Sequence, residues 1–97
     1  MHARVTITQT DAANIEKSTD IARDGILPIA QKQKGFKGYL LLSDPESGKG
    51  ITVTFWESEA DMTANEESKY YDGALDKVRE LLTAVPVTEH YEVVIQV

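Results

Sequence analysis

The chain contains no cysteine, which removes disulfides, thiolate nucleophiles and every cysteine-based zinc or iron–sulfur site at once. Long apolar runs are missing too. The longest, Tyr39 to Leu42, falls far short of the roughly 20 residues a membrane helix needs. Basic residues are scarce: 10 Lys and Arg stand against 16 Asp and Glu, a formal net charge of -6. Contact with a phosphate backbone would work against net repulsion, and no Lys/Arg stripe offsets it. Neither nucleic acid nor membrane is an expected partner. The N-terminus lacks the basic-then-apolar layout of a signal peptide, so the expectation is a soluble, cytoplasmic protein. With 97 residues, 41% of them hydrophobic, the chain suffices for one core but not two, and residues 1–97 read as a single domain.

What is present is a regular alternation of strand and helix patterns. From Ala3 to Gln9, Ala3, Val5 and Ile7 alternate with Arg4, Thr6 and Thr8, the period of a strand. Asp11 is placed to cap a following helix, in which Ile15, Ala22, Ile26 and Ala30 recur at helical spacing as far as about Gln33. Gly25 and Pro28 interrupt it. Proline has no N–H to give the carbonyl four residues back, so a kink or break is expected near Asp24 to Leu27, with a bend around a sheet as its simplest cause. Gly35 can end this helical region. Phe36 to Ser43 and Gly50 to Glu57 read as two strands of a hairpin joined by Asp44-Pro45-Glu46-Ser47-Gly48. Ser58 followed by Asp61 resembles a capping box, and Glu57, Glu59 and Asp61 lie where a helix dipole favours negative charge. The acidic run is therefore read as helix initiation, not metal binding. A short helix to about Asn65 and a longer one from Lys69 to about Ala84 follow, the latter carrying Tyr71, Leu75, Val78 and Leu82 as an apolar stripe. Thr88 to Val97 alternates as a last strand.

This order defines an α+β fold, ferredoxin-like β-α-β-β-α-β, with a four-stranded antiparallel sheet and helices on one face. A simply solvated second face would give each strand a clean polar side. Instead Tyr39, Leu41, Trp56 and Val94 lie opposite the more uniformly apolar set, which implies that both faces are covered. In a chain without spare elements a second copy provides the cover, and a homodimer is expected.

Gly35-Phe36-Lys37-Gly38-Tyr39, the hairpin, and Thr54-Phe55-Trp56-Glu57-Ser58 with Ala60-Asp61 and Ser68 resemble the antibiotic biosynthesis monooxygenase family of dimeric α+β barrels. The likeness covers nearly the whole chain. It implies a small aromatic or quinone-type substrate and an oxygenation that uses neither metal nor flavin, so no cofactor is expected. Some members of the family degrade haem instead, using an Asn on the first strand, a Trp at the end of the third and a His on the second helix. Position by position these fall on Ala3, Trp56 and Leu75, and Leu75 cannot ligate iron. The resemblance thus argues against haem breakdown by that route. A non-catalytic dimeric module, binding a small molecule or related to stress, is the competing reading.

Trp56 is the central candidate, either as a core or interface anchor or as one wall of a pocket between sheet and helices. Strand parity puts Thr52 and Thr54 on its side, where their hydroxyls can orient a phenol or ketone, although β-branching alone also accounts for threonine in a strand. Asn65, Tyr70 and Tyr71 occupy the region where a family pocket would open; Tyr71 lies on the apolar stripe and reads equally as core. The substrate-binding set is accordingly Trp56, Thr54, Asn65 and Tyr71. His90 offers an imidazole as general base but sits opposite the apolar side of its strand. No catalytic residue is assigned. No metal site, dinucleotide fingerprint or Ser-His-acid set can be assembled.

Overall fold

The computed structural model describes residues 1–97. Four strands, β1 (His2–Gln9), β2 (Phe36–Ser43), β3 (Lys49–Trp56) and β4 (Val87–Glu92), form one sheet in the order β2-β3-β1-β4. Every neighbouring pair is antiparallel, and the helices pack on one side, giving the ferredoxin-like arrangement that the alternating patterns predict. The β2–β3 hairpin turns through Gly48, whose φ is 81°. A Cβ there would meet the carbonyl oxygen of Thr10 at 2.0 Å, so only glycine fits.

The first helical region is built in pieces. A 3-10 turn (Ala12–Asn14) leads into α1 (Ile15–Ile21), a π-helical turn (Ala22–Ile26) and α2 (Leu27–Ala30). The expected interruption is present, and it takes the form of a π turn just ahead of Pro28. There Leu27 N–H donates to Ala22 O, five residues back. Two carbonyls of the stretch are held from α4 (Lys69–Val78): Lys77 Nζ donates to Gly25 O at 2.8 Å and Tyr70 Oη to Ile26 O at 3.3 Å. Asp11 occupies the cap position in backbone terms, but its side chain makes no cap hydrogen bond, which corrects the expected capping role. The helix also ends earlier than Gln33, and Gly35, at φ 80°, belongs to the turn into β2.

At α3 (Glu59–Glu67) the cap is realised, with Ser58 Oγ accepting from the Asp61 N–H at 3.1 Å. Beyond α4 a 3-10 turn (Arg79–Leu81) replaces the continuation to Ala84. The last strand stops at Glu92, short of the expected Val97, because its partner runs out: His2 pairs with Glu92 and Met1 O accepts from Val93 N–H. Residues past this point have no strand beside them within one chain, and Val94 and Ile95 are more than four-fifths exposed.

The two faces of the sheet differ in an unexpected direction. The helices cover the side that bears Arg4, Thr6, Thr52, Thr54 and Trp56. The open side carries Ala3, Val5 and Ile7, matched across the register by Phe55, Val53 and Ile51 and flanked by Leu40, Leu42, Val87 and Tyr91. Leu40, Leu42, Val87 and Tyr91 are each about half exposed. The more polar set is thus inside, and the more apolar set faces out.

Candidate functional site

Between the helices and the threonine-bearing side of the sheet lies a cavity of about 120 Å³. Its floor is Arg4, Thr6, Thr52, Thr54, Trp56, Tyr39 and Leu41, and its roof is Ile15, Ala22 and Ile26 from the first helical region with Tyr70, Tyr71, Ala74, Leu75 and Val78 from α4. The π turn shapes this roof directly, since it contributes both Ala22 and Ile26.

Trp56 is 1% exposed and is the largest fully buried side chain. Its indole Nε1 donates to Thr54 Oγ1 at 2.9 Å, and Phe36 meets its ring edge-on at 5.9 Å. The side chain is therefore anchored in the core and forms part of the cavity wall as well. Thr54, used as an acceptor by Trp56, keeps its own hydroxyl hydrogen free to point elsewhere. Tyr71 also lines the cavity, and its hydroxyl is 3.1 Å from Thr88 Oγ1. Asn65 is different: it is buried on α3 with neither amide atom hydrogen-bonded, and it is not among the residues that line the cavity. Of the proposed binding set the fold brings Trp56, Thr54 and Tyr71 together and leaves Asn65 apart.

The residue that sequence reasoning missed is Arg4. It is 4% exposed, lines the cavity, and lies over the rings of Tyr71 at 4.2 Å and Trp56 at 5.3 Å. Burial pushes its guanidinium pKa down from the ordinary value, with Tyr71 and Glu66 acting in the opposite sense. Arg4 Nη1 has no hydrogen-bond partner; the carboxylate of Glu66 on α3 comes no closer than 3.6 Å. Glu66 Oε1 is engaged by His90 Nε2. His90 thus sits on the helix-covered side, half-exposed and bonded to an acid, outside the cavity wall. The signal for Arg4 was available in strand parity, which puts it on the side of Thr6, and the register pairs it with Thr54.

Ala3, onto which the family's strand-one Asn was carried, lies on the open side of the sheet, paired with Phe55. The cavity-facing position next to it is Arg4. Leu75 lines the cavity. Tyr39 and Tyr70 add hydroxyls to the wall; burial raises the pKa of each, the effect on Tyr39 being opposed by the nearby Thr52. No group of three or more His, Asp or Glu side chains is placed to hold a metal ion, and no helix is long and apolar enough to cross a membrane. The arrangement can hold a small, flat, apolar molecule bearing a polar or negative edge.

This fold is that of the antibiotic biosynthesis monooxygenase proteins. A monooxygenase of Streptomyces coelicolor from the gene ActVA-Orf6, in complex with the ligand nanaomycin D, superposes with a TM-score of 0.82 over 99% of this chain and 89% of that one, at 17% identity. An antibiotic biosynthesis monooxygenase superposes at 0.75 over 98% of this chain and 100% of its own, at 10% identity. A Nitrosomonas europaea protein of unknown function gives 0.80 over 98% and 90%, at 17% identity. In sequence, the chain is 29% identical over 93 residues to an uncharacterized protein of Mycobacterium tuberculosis, found in two strains. That match takes in 96% of this chain but 41% of the relative, so the chain spans less than half the length of the curated proteins it resembles. No family model matches the chain.

Proposed function

We propose that the chain is a member of the antibiotic biosynthesis monooxygenase family and acts as a cofactor-independent monooxygenase on a small aromatic or quinone-type molecule. The observation that carries this reading is the cavity between helices and sheet, lined by apolar side chains and threonine hydroxyls, with the Trp56 indole in its wall held by its hydrogen bond to Thr54. In such a reaction a phenol is oxidised to a quinone by O2. The ionised substrate supplies the electrons, one oxygen atom enters the ring as the new carbonyl, and the other leaves as water. The protein's part is to bind, orient and dry the substrate. The Streptomyces neighbour with its bound ligand supports a small-molecule site on this fold.

One observation favours a second reading, a binding module without catalysis. The cavity wall contains no His, Asp or Glu side chain to take the substrate's proton. Oxygen consumption with a panel of hydroquinones and phenols separates the two. A rate above the uncatalysed one, reduced by Trp56→Phe with the protein still folded, supports the enzyme; no excess rate with any member of the panel, despite binding, supports the module.

We further propose that the working unit is a homodimer formed through the open side of the sheet. Leu40, Leu42, Val53, Phe55 and Val87 offer a nearly continuous apolar surface. Glu89, the acidic residue on that side, lies on the edge strand β4. The exposed segment after Glu92, with Val94 and Ile95, extends past the sheet where a second copy can pair with it. The relatives' extra length leaves room for a second unit of this size within one chain, an alternative way of supplying the same partner.

A further inference from the structure

We infer that Arg4 is an anion-binding residue and that the cavity takes its aromatic ligand as a phenolate, seated with its oxygen on the guanidinium. This inference rests on the small-aromatic reading above and names the ionisation state and the residue that selects it.

Three observations carry it. The first is an unmet donor. An arginine guanidinium stays charged in proteins and presents five N–H groups, yet Arg4 is 4% exposed and its Nη1 meets no acceptor within hydrogen-bond distance. A buried donor left without a partner is costly, more so when it is charged, and an anion in the cavity beside it removes that cost. The second is charge. The one carboxylate near Arg4, Glu66, stands at 3.6 Å, and the same oxygen is engaged by His90. The cation is tethered without being satisfied. The third is shape. Tyr71 and Trp56 take the guanidinium against their ring faces, so its N–H edge is what remains for a ligand in the plane of the group. The cavity beside it measures about 120 Å³, comparable with an engineered cavity of about 150 Å³ that accepts benzene.

In this arrangement Arg4 touches the ligand, whereas Glu66 and His90 lie outside the cavity wall and act through Arg4 as positioning residues. The pocket thereby selects ligands by their acidity: those that ionise readily are bound as anions, and neutral isosteres are held only by the apolar walls.

The probe is 4-nitrophenol, whose phenolate is coloured and which is too poor a reductant for turnover to intrude. Absorbance titration against pH, with the intact protein in excess, measures the ionisation of the bound ligand. Phenolate is expected to bind roughly 10- to 100-fold tighter than phenol, the range of a hydrogen bond to a charged group, which lowers the apparent pKa of the bound ligand by about one to two units. Arg4→Gln abolishes this preference. Glu66→Gln, which removes the competing carboxylate from a partly exposed site, increases it, and that variant decides the matter should Arg4→Gln fail to fold. Equal affinity for the two ionisation states of the probe, an undiminished preference in folded Arg4→Gln, or an unchanged or weaker preference in Glu66→Gln overturns the anion site while leaving the pocket reading intact. Binding of neither form to the wild-type protein overturns the pocket reading and this inference together.

Discussion

Replacing Val53 by glutamate tests the role of the open sheet face. Val53 sits on the central strand β3 with Val5 opposite on one side and Leu40 on the other, so its substituent projects from the middle of the apolar surface. In a lone subunit the new carboxylate remains hydrated, and the change costs no more than the span of strand preferences, about 1 kcal/mol. For a domain of this size that lowers the melting temperature by roughly 4–8 °C. In a dimer sealed through this face, each subunit buries a carboxylate without a partner, and an uncompensated buried charge costs about 3–5 kcal/mol. One such charge weakens association roughly a hundredfold or more, and the pair, near a two-fold axis, by about 10⁴-fold or more. Sedimentation equilibrium over a range of concentrations reads the dissociation constant, and circular dichroism reads the fold. The expected result is a folded monomer at concentrations where the wild-type chain is dimeric. A wild-type protein that stays monomeric at high micromolar concentration, or a Val53→Glu protein with the wild-type dissociation constant, refutes the assignment of this face.

Three further outcomes follow from features of the fold. Gly48→Ala places a methyl group against the Thr10 carbonyl at a φ of 81°, which costs at least about 2 kcal/mol for the left-handed backbone and the displaced contact; calorimetry should show a melting point lower by roughly 8–16 °C. Lys77→Met removes the donor to Gly25 O, and a loss of about 1 kcal/mol, with faster amide hydrogen exchange confined to residues 22–30, is expected; uniform exchange would contradict a local role. Burial raises the pKa of Tyr39 and Tyr70, so their neutral forms are favoured in the folded state. Their contribution is complete below the ordinary tyrosine range, about 10, and is lost as pH rises through the raised values. Alkaline unfolding should therefore begin there and move to higher pH in Tyr39→Phe; an unshifted midpoint would show that Tyr39 does not control it.

Much of the architecture was readable in the chain, and each failure has a local cause. Alternation of Val, Ile and Thr located β1 and β3 to within a residue, and Ser58 capped its helix through Asp61 as its spacing implied. Pro28 marked where the first helix would be disturbed but not how, because the π turn has its carbonyls met by Lys77 and Tyr70 from α4, contacts that lie far apart in sequence. The last strand was overrun because period-two alternation persists to Val97, whereas pairing depends on the length of β1. Strand parity separated the two faces of the sheet. Hydrophobicity alone assigns the helices to the wrong one, since the side rich in Val, Ile and Leu is left open. Arg4 escaped notice for the same reason: an arginine alternating with alanine and valine looks solvated until helices are known to cover it. Glu66 was lost within the acidic face of α3, and only the register that sets His90 beside Arg4 reveals their association.

Only 11 of the 97 residues are buried, and the apolar ones among them are Ala3, Ala22, Ala30, Trp56 and Met62. Such a subunit is under-filled from two directions at once, hollow beneath its helices and bare on its outer sheet. On the proposed reading both deficits are made good by binding, and whatever binds the native state alone raises its stability by mass action. The melting temperature of this chain is therefore expected to be a property of the solution as much as of the sequence, rising with protein concentration and rising again with an aromatic anion. Each occupant makes unfolding rarer without any change in the covalent chain.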